Sequence, residues 1–130
     1  MSAFTVELKN RPGQLAQLCE VMAAQRINIV LTGIAHREGG SVAFIADDEA
    51  AARTAMQDAG IEFTERSALT VRLDNVPGAA ATTFRALANA DVNVELLLPV
   101  RISDEYFLAV ICVEDLDAAR QALGEQVVSG

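Results

Sequence analysis

Apolar and polar residues alternate at the start of the chain: Phe4, Val6 and Leu8 against Thr5, Glu7 and Lys9. The alternation predicts a half-buried strand over 4–8. Arg11-Pro12-Gly13 breaks it, because Pro fixes its own φ and Gly permits an unusual backbone. Leu15, Leu18, Cys19 and Met22 then fall at i, i+3, i+4 and i+7, an amphipathic helix. Positions 27–34 return to a strand, Gly39-Gly40 predicts the hairpin turn, and 41–46 is the partner strand. Asp47 or Asp48 can cap a second helix with its stripe on Ala52, Ala55, Met56 and Ala59, ended by Gly60. A short strand is expected over 61–66.

The order then repeats. Positions 69–73 predict a strand, Val76-Pro77-Gly78 a turn, and Ala80, Thr83, Phe84 and Leu87 a helical stripe. Strands are expected over 92–100 and 106–113, around Ser103-Asp104. Asp115 can cap a last helix striped by Leu116, Ala119 and Leu123, with Gly124 after it, and 126–128 is a short strand if it forms at all. The repeat is visible in the letters too. Over 4–46 against 69–111, ten positions are identical, among them Asn10/Asn75, Pro12/Pro77, Gly13/Gly78, Asn28/Asn93 and Leu31/Leu96. A period of 65 residues exceeds the usual solenoid repeat and fits two small modules in tandem, 1–66 and 67–130.

Each module reads strand–helix–strand–strand–helix–strand. The predicted fold is α+β: two tandem ferredoxin-like (βαββαβ) modules with antiparallel sheets. Helices cover one face of such a sheet, yet apolar residues stand on both faces of three strands: Val30 and Ile34 alternate with Ile29 and Leu31, and 92–100 and 106–113 do the same. That predicts burial by the other module or by another chain, and hence a homodimer or larger assembly.

Composition narrows the function. The net charge is −8, with ten Lys and Arg scattered among eighteen Asp and Glu. No basic face is available for nucleic acid or an anionic membrane. No apolar run approaches ~20 residues, so no membrane span is expected. Cys19 and Cys112 lie in apolar settings without metal or Cys-x-x-Cys spacing, as free thiols of a cytoplasmic protein. No leader is visible before the first strand. Neither a cofactor nor a metal site is suggested. The single histidine, His36, sits near a hairpin end and reads as a solvated residue rather than a base.

One constellation carries candidate chemistry. A helix opening just after Pro12-Gly13 exposes backbone N–H groups at a positive dipole end, a place for a carboxylate. Asn10 and Asn28 offer donors and acceptors for an α-carboxylate or an α-ammonium. The plainer alternative is that Pro-Gly makes a turn and Asn caps it.

Asn10-Arg11-Pro12-Gly13-Gln14-Leu15, with Asn28-Ile29 at the next strand, resembles the ACT domain family of small amino-acid-binding regulatory modules. The second copy resembles it through Asn75, Pro77, Gly78, Asn93 and Val94. It departs where Val76 replaces the Arg and Ala79-Ala80 replaces the polar-Leu pair. The resemblance implies a cytoplasmic, non-catalytic amino-acid sensor, with its ligand between modules, held by one module's turn and a neighbour's second strand. It also implies output through a partner protein or through its own oligomer. The alternative is a regulatory or structural subunit of an amino-acid biosynthetic enzyme, with no small-molecule ligand of its own.

Overall fold

Both repeats fold in the predicted order. The computed structural model describes all residues, Met1–Gly130. The elements run β1 (Ser2–Lys9), α1 (Gln14–Ala24), β2 (Ile29–His36), β3 (Gly39–Ala46), α2 (Glu49–Asp58), β4 (Thr64–Asp74), α3 (Ala79–Asn89), β5 (Val94–Ile102), β6 (Tyr106–Val113), α4 (Leu116–Leu123) and β7 (Val127–Ser129). The chain divides into two compact units, Ser2–Arg66 and Ser67–Gly130 with Met1. All strand pairs in each are antiparallel. None of the helices is long and apolar enough to cross a membrane.

In the first unit the strands lie in the order β2-β3-β1, with β2 at the edge. The register pairs Phe4 with Phe44, Val6 with Val42 and Leu8 with Gly40. These residues therefore share the face that α1 and α2 cover, with Leu18, Met22, Ala52 and Met56 buried against it. Phe4 stacks on Phe44 at 5.3 Å between centroids and meets Phe63 edge-on at 5.8 Å. On β2, Leu31, Gly33 and Ala35 stand opposite Phe44, Val42 and Gly40 and so share that face; Val30, Thr32 and Ile34 take the other. Arg53 grips Glu65 through two hydrogen bonds, one from Nε at 2.9 Å, and this holds the Glu65 carboxyl below its ordinary range. The pair is part-exposed, so it adds little to stability.

In the second unit the order is β5-β6-β4-β7. Leu69, Val71, Leu73, Leu87, Ile111 and Leu123 form its core.

Three expectations are corrected. The strands predicted over 61–66 and 69–73 are one strand, β4, because Ser67-Ala68 carries no turn chemistry. Residues 61–63 lie outside it, where Ile61 N–H donates to Met56 O and ends α2. The hairpin turn is Arg37-Glu38, not Gly39-Gly40; Arg37 takes the positive φ of 42°. Gly40 instead lies inside β3, where a Cβ would approach Ile34 O to 2.9 Å. The expected burial of the apolar 106–113 pattern is met within this chain at Ala109–Val113. Exposed apolar residues remain on β2, at Val30, Leu31 and Ile34, and on β5, at Leu97 and Ile102.

Candidate functional site

The two Pro-Gly turns have the same backbone. Gly13 and Gly78 serve as N-caps at φ 91° and 90°, a region that residues with a Cβ avoid. Neither helix that follows has a side-chain cap or an acidic residue in its first turn. The other two helices have both: Asp48 accepts from Ala51 N–H and Asp115 from Ala118 N–H, with Glu49 and Asp117 in the first turns. Only the motif helices leave their positive ends open.

Asn10 is tied down. Its Nδ2 donates to Arg37 O at 3.0 Å, and its backbone N–H to Glu38 O. That orientation leaves Oδ1 as a free acceptor. Asn75 repeats the arrangement, with Nδ2 on Ser103 O at 2.8 Å and N–H on Glu105 O. The shared Asn therefore has a structural task in both copies, pinning the turn to the hairpin. Asn10→Ala and Asn75→Ala should each cost about 1 kcal/mol of stability. Chemical denaturation of the two variants beside the wild type checks it.

A cleft of about 450 Å3 opens beside the first turn, within the ~300–1,000 Å3 range of small-molecule sites. Asn10, Arg11, Gln14 and Leu15 line one side, 31–35 of β2 another, and Leu8, Gly40 and Val42 contribute as well. Lys9 and Arg11 line it without any carboxylate partner, and no acidic residue is among the lining. Alternation places Lys9 on the sheet face of Glu7, away from the helices, while Arg11 sits in the turn that leads into α1. The second copy reverses the charge: Asp74 stands for Lys9 and Val76 for Arg11.

Asn28 is not in this cleft. Its N–H donates to Asp47 Oδ1 at 3.0 Å, Asp47 N–H returns the bond to Asn28 O, and its exposed side chain has no partner in the chain. The eight residues of β2, a span of about 30 Å, separate it from Arg37 at the strand's other end. One module thus cannot put Asn10 and Asn28 on one small ligand. Ile29 packs against the first core, and Pro12 and Gly13 are exposed. In the second copy Asn75, Pro77, Gly78 and Asn93 are exposed, and Val94 packs against the second core.

Sequence reasoning did not find Gly33. Unlike Gly40, it has room for a Cβ, with Val42 Cγ2 at 3.4 Å and Ser41 O at 3.5 Å, and its φ is not positive. The fold does not require glycine there. In the second copy Pro99 holds the equivalent ladder position: it pairs with Ala109 as Gly33 pairs with Val42. The register shift between Val94 and Leu96 displaces the ungapped alignment by one residue, which is why the letters did not show it.

Open helix ends after Pro-Gly thus recur in both βαββαβ units. The family model for an ACT domain pair matches residues 1–127, and the chain belongs to that family. Its fold is shared with a protein of Bacteroides thetaiotaomicron, at TM-score 0.82 and 24% identity over 95% of this chain and 86% of that one. The regulatory subunit of aspartate kinase from Thermus thermophilus follows at TM-score 0.69 and 20% identity, over 96% and 91%. Aspartate kinase of Clostridium acetobutylicum matches at TM-score 0.64 and 12% identity, over 97% of this chain but 32% of its own. No curated protein matches at a significant level.

Proposed function

We propose that this ACT domain pair is a non-catalytic, cytoplasmic sensor that binds an amino acid at its first module and regulates a partner enzyme of amino-acid biosynthesis. One observation carries the reading. The uncapped α1 opens beside a cleft that holds Arg11 and no carboxylate. A ligand α-carboxylate would take the helix N–H groups and Arg11, and its α-ammonium would take Asn10 Oδ1. The partner enzyme is supported by the aspartate kinase regulatory subunits that share the fold.

The separation of Asn10 from Asn28 supports a homodimer. β2 is an edge strand without Pro, Lys or a bulge, the kind that pairs with another chain. Two copies of β2 paired antiparallel about Thr32-Gly33 would set each copy's Asn28 opposite the other's Arg37-Glu38, next to Asn10. The ligand would then lie between one module's turn and its neighbour's second strand. β5, by contrast, carries Pro99 and two register shifts, which blunt it.

A thermal-shift screen of the standard amino acids tests the sensor, since a ligand of the native state must raise the midpoint. Sedimentation tests the assembly. No shift from any amino acid, together with a 13.8 kDa species at high concentration, would defeat both parts. A regulatory subunit without a ligand of its own is the second reading. It is favoured by the structural role that Asn75 fills equally well in the copy that has lost its cations.

A further inference from the structure

We infer that the amino acid taken by the first module has an uncharged aliphatic side chain, lying over Gly33 between Leu15 and Leu31. The inference rests on the sensor reading above and names the ligand class of that site.

Charge gives the first argument. No carboxylate lines the cleft, so a lysine, arginine or histidine ligand would leave its side-chain cation unpaired beside Arg11. The reading assigns Arg11, with the α1 end, to the α-carboxylate. A second carboxylate, from an acidic ligand, would meet Leu8, Leu15, Leu31, Ala35 and Val42, with Lys9 on the opposite sheet face as the one remaining cation of the lining.

Surface gives the second argument. Leu15 is 47% exposed and Leu31 37% exposed, and both line the cleft. Leu15 stands in the first turn of α1, ahead of the buried stripe of Leu18 and Met22. Its counterpart in the second copy is Ala80. An apolar ligand side chain would remove both leucines from water.

Gly33 gives the third. A glycine inside a strand weakens it and marks a place where another group comes close. Here the fold would accept a Cβ, and that Cβ would stand on the helix-side face that lines the cleft. The glycine keeps the floor low enough for a branched chain. Pro99 raises that floor in the second copy.

Calorimetry with valine, leucine, isoleucine, aspartate, glutamate and lysine tests the inference on the whole chain. At least one aliphatic amino acid should bind and the charged ones should not. Gly33→Ala should keep or raise the unfolding midpoint and weaken that ligand at least tenfold. Leu15→Asn, at an exposed site, should weaken it too and covers the case in which Gly33→Ala does not fold. Binding of a charged amino acid that is lost in Arg11→Ala would overturn the aliphatic class while leaving the sensor standing. Aliphatic binding unchanged by both Gly33→Ala and Leu15→Asn would overturn it as well. If none of the standard amino acids binds, both readings fall.

Discussion

Gly13→Val is expected to lower the unfolding midpoint, and Gly78→Val to lower it by a similar amount. Both glycines hold φ near +90°, where a β-branched residue is a strained outlier. Such a residue costs on the order of 1–3 kcal/mol. For a module of this size that is a fall of roughly 5–15 °C. Space is not the cause, since a Cβ at either position meets nothing within 4 Å. The function enters through the difference between the copies. Gly13→Val should also remove ligand binding, because the strained turn tilts the first N–H groups of α1. Gly78→Val should leave it intact. Thermal denaturation of both variants beside calorimetry separates the two effects. Equal loss of binding in both would place the site away from the first turn.

Arg11→Ala should weaken the ligand far more than it weakens the fold. Arg11 is exposed and has no acidic partner, so its removal should leave the midpoint within measurement error. A charge-assisted hydrogen bond to a carboxylate is worth about 1.5–3 kcal/mol. The expected loss of affinity is therefore on the order of 10- to 100-fold. Arg11→Lys should recover part of it, since an ammonium restores the charge but not the fork of donors. Calorimetric titration of the two variants decides the matter. If Arg11→Ala binds like the wild type, Arg11 does not hold the ligand carboxylate.

Much of the fold was legible because the two periodicities are clean. The alternation of Phe4, Val6 and Leu8 and the stripe of Leu18 and Met22 became the first core as read. Asp48 and Asp115 cap the helices they were expected to cap. What failed depended on partners distant in sequence. Gly39-Gly40 looks like a turn, but Gly40 is glycine because Ile34 O passes 2.9 Å from where its Cβ would be. The double-sided apolar pattern of β6 predicted burial correctly, but no pattern states whose atoms provide it. The site was legible in part. The open helix end follows from Pro12-Gly13, whereas the separation of Asn28 from the Arg37 end, where Asn10 is pinned, appears only once β2 is laid between them. Leu31 and Leu96 match in the letters yet sit at different ladder positions, opposite Phe44 and Cys112, because the register of β5 shifts between Val94 and Leu96.

The unequal helix starts have a dynamic consequence. An uncapped first turn is where a helix frays, and α1 and α3 share that weakness while α2 and α4 are fastened by their aspartates. A carboxylate seated on α1 would act as its missing cap, worth about 1 kcal/mol to that turn alone. Occupancy would then be written as slower opening of one end of one helix, with its duplicate α3 fraying as before. A partner that reads this end need not detect any movement of the sheet. It would sense how long the turn stays closed, and amide hydrogen exchange at Leu15 and Ala16 against Ala80 and Ala81 would record the same signal.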